Sequence, residues 1–230
     1  MATPDEPYTE LLSLAVHEFR TPAGIVGGYL RMLQRDADAP LSDRQKKMVL
    51  EAERSCQRLV ALIAELSEIQ HLDAERLTPV QQPLDLFALI EEVAAGTDEA
   101  ADRGVRLQLR GPSAGAAVNG DVPRLQRAFS ALFRAILREM PADTTVVGER
   151  RLITRDGGRS AMLVIAEQSQ VPSSFDAAPV RFDEKRGGLG LALPIARRVI
   201  QRHGGRVWSP AGDGGRSAAV ISIPVLEPSR

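Results

Sequence analysis

His17-Glu18-Phe19-Arg20-Thr21-Pro22 lies inside a run whose apolar residues, Leu11, Leu14, Ala15, Ile25, Leu30 and Leu33, recur mostly at steps of three and four. This spacing predicts one long helix from Tyr8 to about Asp36, bent near Pro22 and interrupted by Gly24, Gly27 and Gly28. Outward from it, Asp36-Ala37-Asp38-Ala39-Pro40-Leu41 reads as a turn. Ser42 followed by Gln45 is a capping box that starts a second helix. In that helix Met48, Ala52, Cys56, Leu59, Leu62, Ile63, Leu66 and Ile69 form one apolar stripe, with Arg44, Lys47, Glu51, Arg54, Arg58 and Glu65 on other faces. Two helices joined by a short turn make a hairpin. A lone hairpin cannot cover both stripes, so the expected solution is a homodimer that closes a four-helix bundle.

After His71 the texture changes. Pro79 and Pro83 bracket a linker, and Leu84 to about Asp102 returns as a helix with Leu86, Leu89, Ile90 and Val93 on its apolar side. Strand-like segments follow at Val105–Arg110, Val146–Thr154 and Ala161–Ala166, the last two joined across the turn signal Asp156-Gly157-Gly158. Leu125–Arg138 and Leu189–His203 read as helices, and Arg206–Trp208 and Ser217–Val225 as closing strands. The expected fold is therefore α+β and multidomain: a helical hairpin at residues 8–73, then an α/β sandwich at 84–228.

Composition sets limits on the partners. With 43% hydrophobic and 26% charged residues the chain is globular, and a net charge of -1 gives no reason to expect nucleic acid. The single cysteine, Cys56, rules out an intrachain disulfide framework and favours a reducing, cytoplasmic setting. No apolar run reaches the ~18 residues of a membrane span, so direct membrane insertion is not expected. The residue four after His17 is Thr21, not a second histidine, which excludes a metalloprotease helix motif.

His17-Glu18-Phe19-Arg20-Thr21-Pro22 resembles the H-box of bacterial two-component sensor histidine kinases, in its usual place on the first hairpin helix. Gly188-Leu189-Gly190-Leu191-Ala192-Leu193, followed by Ile200-Gln201-Arg202-His203-Gly204-Gly205, resembles the second glycine box of that family's ATP-binding domain. Pro83-Leu84-Asp85-Leu86-Phe87 and Gly120-Asp121 also fall where the family has them. The resemblance runs from about Leu11 to Val225. It implies a dimerisation and phosphoacceptor hairpin followed by an ATP-binding domain of the Bergerat (GHKL) type. It further implies that His17 is the phosphoryl acceptor, that Glu18 orients its ring or takes its proton, and that Glu18 with Thr21 positions a hydrolytic water. ATP with Mg²⁺ at Gly188, Gly190, Leu191 and Arg138 is the cofactor implied, and a response-regulator receiver domain is the partner, beside a sensor protein or another histidine kinase. Regulator contacts are expected on the first helix below His17, near Ile25 and Gly28, together with the facing side of the second helix.

The chain departs from the family where nucleotide would bind. Both asparagine positions of the N-box helix are alanine, Ala131 and Ala135, and a methyl group offers no oxygen to Mg²⁺. In place of the first glycine box stands Ala166-Glu167-Gln168-Ser169-Gln170-Val171-Pro172, and Ser173–Arg186 is short for a lid over ATP. Each buried polar partner lost costs about 1–3 kcal/mol, against about 4–8 kcal/mol for a whole micromolar-to-millimolar site. The reading is phosphotransfer or regulator dephosphorylation through His17, with impaired or absent ATP binding and no metal site. Its alternatives are an active autokinase in which Arg138 or Glu167 compensates, and a noncatalytic pseudokinase scaffold.

Overall fold

A computed structural model describes residues 6–36, 39–73, 81–155, 158–212 and 217–226 of the 230. The chain divides into two compact units, Met1–Leu77 and Thr78–Arg230.

The first unit is a hairpin of α1 (Glu6–Arg35) and α2 (Asp43–Asp73). The capping box predicted for α2 is present: the Gln45 carboxamide oxygen accepts from the Ser42 N–H at 2.9 Å and from its hydroxyl at 2.7 Å, while the Gln45 N–H donates to Ser42 Oγ at 3.4 Å. α1 runs unbroken through Pro22. The helices meet where α1 carries little bulk. The Cys56 thiol donates to the Ala23 carbonyl at 3.0 Å, and a Cβ placed on Gly27 would lie 3.3 Å from the Cys56 sulfur. Further along, Gln34 Nε2 donates to Glu53 at 2.7 Å. Val16 and Cys56 are buried in this seam. Gly24 and Gly28, by contrast, face open space.

Much of the remaining apolar surface of the hairpin is uncovered. Leu14, Ile25 and Met32 are 58%, 54% and 67% exposed and lie along one line of α1, because steps of 11 and 7 are near whole numbers of turns. Met48 and Leu59, also 11 apart, form a matching exposed line on α2. The α2 stripe read from the sequence is thus split: Cys56 and Ile69 are buried, whereas Met48 and Leu59 face outward.

The second unit holds a six-stranded sheet in the order β2 (Arg106–Arg110), β4 (Thr145–Arg155), β5 (Gly158–Glu167), β8 (Ala219–Pro224), β7 (Arg206–Pro210), β6 (Pro179–Val180). Among the described residues only the β2–β4 pair is parallel. A separate antiparallel pair joins β1 (Gln82–Asp85) to β3 (Ala117–Gly120). The helices are α3 (Leu86–Ala95), α4 (Val122–Glu139), the single turn α5 (Val171–Ser174) and α6 (Ala192–Arg202). Strand alternation sends Ala161, Leu163, Ile221 and Ile223 to one face, where Phe87, Ile90 and Phe129 of α3 and α4 meet them. Met162, Val164, Ala166 and Val220 point to the other face and pack with Val171, Phe175 and Ala218. Both faces are covered, which is why Ala161–Ala166 reads as an unbroken apolar run.

The structure revises several sequence boundaries. The helix expected from Leu84 to Asp102 spans only Leu86–Ala95, since Leu84 and Asp85 belong to β1 and the chain leaves the helix at Gly96. The strands β1, β3 and β6 and the turn α5 were not foreseen. The turn residues Asp156 and Gly157 lie outside the described residues, although the flanking register, Arg155 opposite Gly158, is that of a tight hairpin.

Two helix starts fix the layout of this unit. Asp85 caps α3 by accepting from the Phe87 and Ala88 N–H groups, and it also holds the Gly115 N–H. Asp121 caps α4 through the Arg124 N–H at 3.1 Å and pairs with the Arg124 guanidinium at 3.3 Å. Burial works to raise the Asp85 carboxyl, but the backbone N–H groups of Gly115, Ala88, Phe87 and Ala116 together bring it below its ordinary 3.8. A lowered folded-state value stabilises above the unfolded value and loses that contribution as pH falls through the folded one. Asp85→Ala is therefore expected to lose about 1 kcal/mol at pH 7, with the gap to wild type narrowing below the unfolded value of 3.8; urea melts at pH 7 and in acid check this. In the hairpin, Gly24→Ala should add about 0.5–1 kcal/mol, whereas Gly27→Val should cost about 1–3 kcal/mol by pushing on Cys56, both read from thermal or urea unfolding.

Candidate functional site

The residues singled out from the sequence lie in both units. In the hairpin, Val16 is 5% exposed and turns toward α2, so its successor His17, about 100° around the helix, turns out to water. Glu18, Arg20 and Thr21 are exposed as well. Thr21 stands one turn beyond His17 on the same side, and Glu18 flanks both. Pro22 has no N–H to donate, so the Glu18 carbonyl lacks its helical donor one residue after the imidazole. The next turn of backbone is fastened to α2 through Ala23 and Cys56. Gly24 and Gly28 continue the His17 side of α1, leaving bare backbone below the imidazole. The arrangement offers a solvent-facing nitrogen nucleophile beside a carboxylate, on a helix anchored from behind.

In the second unit, Ala131 and Ala135 lie on α4 and are buried. What covers Ala135 is the protein's own chain. A Cβ on Gly187, whose φ is +66°, would stand 2.9 Å from the Ala135 Cα and 3.2 Å from its carbonyl oxygen, so only glycine fits there. The Gly187 N–H donates to Glu139 Oε1 at 3.1 Å, and the Gly187 carbonyl accepts from Arg138 at 3.1 Å. Arg138 and Arg134 both pair with Glu99 at 2.7 Å and hold its carboxyl below the usual range. Arg138 is thus committed to Glu99 and the Gly187 carbonyl.

Gly188 and Gly190 both have positive φ on the approach to α6, and Leu191 caps that helix without a side-chain hydrogen bond. Glu167 ends β5 and accepts from Ser169 Oγ at 3.2 Å. Gln168 and Gln170, which stand where glycines were expected, form an ordinary turn, with Gln170 at φ −93° leading into α5.

Three residues carry more than the sequence suggested. Arg186 is 5% exposed and hydrogen-bonds inward; nothing in its surroundings in the chain marks it as buried. Glu139 is recruited by the Gly187 amide from 48 residues away. His203, read as a plain helix terminus, accepts from the Asp121 N–H through Nε2 at 3.0 Å and donates through Nδ1 to the Val199 carbonyl at 2.7 Å. It locks the end of α6 to the start of α4. Gly120 makes room for it, since a Cβ there would lie 3.0 Å from the ring.

Comparison with known proteins agrees with this architecture. Residues 8–75, the span that contains His17, match the His Kinase A (phospho-acceptor) domain family. Sensor-like histidine kinase SenX3 of Mycolicibacterium smegmatis is 30% identical over 221 residues, covering 90% of this chain and 55% of that protein. The circadian input-output histidine kinase CikA of Synechococcus elongatus is 25% identical over 234 residues, covering 95% of this chain and 30% of that protein. The chain therefore spans about half or less of these relatives. Among solved structures, full-length ShkA in complex with AMPPNP superposes with a TM-score of 0.69 at 21% identity, over 96% of this chain and 47% of that one. Histidine kinase ThkA, solved with the response regulator protein TrrA, gives 0.55 at 17% identity, over 94% and 61%. With a phospho-acceptor domain at residues 8–75, histidine kinases matching across both units, and the hairpin-plus-sheet fold shared with solved kinases, the chain belongs to the two-component histidine kinases, of which it holds the core.

Proposed function

We propose that this core carries a phosphoryl group on His17, exchanged with the aspartate of a response-regulator receiver domain, and that it does so without depending on bound nucleotide. The observation that carries the first half is the exposed His17-Glu18-Thr21 set within the matched phospho-acceptor span. In the forward step an imidazole nitrogen attacks the phosphorus of the aspartyl phosphate. The N–P bond forms as the P–O bond to the aspartate breaks, and the aspartate leaves as a carboxylate. The proton on the other ring nitrogen passes to Glu18 or to water. The return step reverses each of these changes. Dephosphorylation needs a water directed at the same phosphorus, and Glu18 with Thr21 one turn on is placed to orient it. The bare strip at Gly24 and Gly28 gives a receiver domain a close approach to the helix below His17.

The second half rests on whether α4 fits Mg²⁺ and nucleotide. It does not: Ala131 and Ala135 supply no oxygen, Arg138 is engaged by Glu99 and the Gly187 carbonyl, and Gly187 lies on Ala135. One observation favours the autokinase alternative, namely the positive φ of Gly188 and Gly190 just before α6, where the lack of side chains lets backbone come close to a phosphate. Among the described residues no helix is long and apolar enough to cross a membrane.

The hairpin's uncovered lines at Leu14, Ile25, Met32, Met48 and Leu59 support pairing with a second copy into a four-helix bundle. Sedimentation at micromolar concentration should give the mass of a dimer, and serine at Leu14, Ile25 and Met32 together should give a monomer; a monomeric wild type would contradict the bundle. Incubation with a phosphorylated receiver domain should transfer label to the chain as an acid-labile phosphoramidate. His17→Gln should reduce that transfer by more than about 100-fold, and Glu18→Gln should slow it by roughly 10²-fold. Undiminished transfer in His17→Gln would overturn the assignment to His17, and no transfer to the wild type would leave the scaffold reading.

A further inference from the structure

The segment between β6 and α6 is fastened to the body of the second unit at several points. Arg186 points inward: its guanidinium donates to the Asp183 carbonyl at 3.1 Å, the Ala218 carbonyl at 3.2 Å and Ser209 Oγ at 3.2 Å. It also lies over the Phe182 ring, 4.5 Å from the centroid. Ser209 Oγ donates to the same Ala218 carbonyl at 3.3 Å, so the loop, β7 and the entry to β8 share one network. Asp183 ties the loop internally through the Lys185 N–H at 2.9 Å, and Glu184 pairs with Arg197 of α6. Gly187 then meets α4 through the Glu139 and Arg138 bonds and lies against the Ala135 backbone.

The fit between Gly187 and Ala135 is mutual. A side chain on Gly187 would collide with the α4 backbone, and a longer side chain at residue 135 would drive Gly187 away. Ala135 therefore does more than lack a metal ligand: it is the seat on which the loop rests. Lifting the loop would break the bonds to a nearly buried guanidinium and leave that charge short of acceptors. A magnesium nucleotide arriving at α4 has no ligand at Ala131 or Ala135 to offset that loss.

We propose that Phe182–Gly188 is a built-in plug, anchored by Arg186 and seated on Ala135, that occupies the α4 face in place of nucleotide and lets this unit hold its fold without one. The inference rests on the reading of that face given under the proposed function and supplies its physical cause. It makes the second unit a constitutively closed domain.

Hydrogen exchange on the intact chain tests it, followed at the Gly187 amide and over residues 182–190. In the wild type this amide should be protected, and about 5 mM MgATP should leave the protection unchanged. Arg186→Met should accelerate exchange of the segment by at least about tenfold while α4 keeps its protection and the far-UV spectrum is retained. If that variant unfolds the unit, Ala135→Val leaves the Arg186 anchor in place and should still accelerate the Gly187 amide. A wild-type amide that exchanges at the unstructured rate, or MgATP binding that alters its protection, would overturn the plug. Receiver-to-His17 transfer measured on the same preparation separates the two claims: lost transfer with a protected Gly187 amide refutes the exchange reading and leaves the plug standing.

Discussion

The approach of α1 to α2 at Gly27 decides what His17 can do. With no Cβ at Gly27 the Cys56 sulfur sits in the seam, its thiol reaches the Ala23 carbonyl, and Val16 is drawn into the same line. Helical geometry leaves the next residue no choice but to face water. Three glycines within five residues of a helix cost about 1 kcal/mol each in propensity, and only Gly27 is accounted for by packing. Gly24 and Gly28 have nothing near them, so their cost is met by no internal contact. Bare backbone beneath a solvent-facing imidazole is what a close-docking partner would use, and under the proposed exchange that would link the local weakness of α1 to the chemistry at His17.

The second unit reaches a similar economy by a different route. Its sheet is covered on both faces, and two arginines are buried in it. Arg150 of β4 donates to the Phe87 and Arg110 carbonyls and pairs with Glu91, tying α3 to the sheet. Arg186 does the corresponding work for the loop before α6. A buried guanidinium is tolerated only when its donors are satisfied, so each arginine fixes the backbone that supplies its acceptors. Burial lowers the Arg186 pKa and the charges of Glu139 and Asp183 oppose that, while Glu139 is itself joined to the loop by the Gly187 amide. The proposed closure of this face would thus rest on satisfying one buried charge.

Much of this was legible in the sequence because it is local. The Ser42–Gln45 capping box, the helical period on both sides of it, the β4–β5 hairpin and the H-box each depend on residues a few positions apart. Short elements were not legible. β1 and β3 are four residues each and exist because they pair with one another across more than thirty residues. The helix read from Leu84 starts two residues later because Leu84 and Asp85 belong to β1 and Asp85 is the cap of α3. Arg186 looks like any surface arginine in the chain, and His203 like any helix terminus; their roles depend on Ser209, Ala218 and Asp121, which the sequence does not place beside them. The alanines at 131 and 135 signalled a missing ligand, but not that Gly187 would fill the space.

Calorimetric titration of the purified chain with ATP, in the presence and absence of Mg²⁺, tests the account most directly. A core that exchanges phosphoryl groups through His17 alone, with α4 closed by its own loop, predicts no binding heat up to about 1 mM nucleotide. A dissociation constant below about 100 μM, equivalent to about 5.5 kcal/mol, would contradict it and return the chain to the ATP-dependent autokinases.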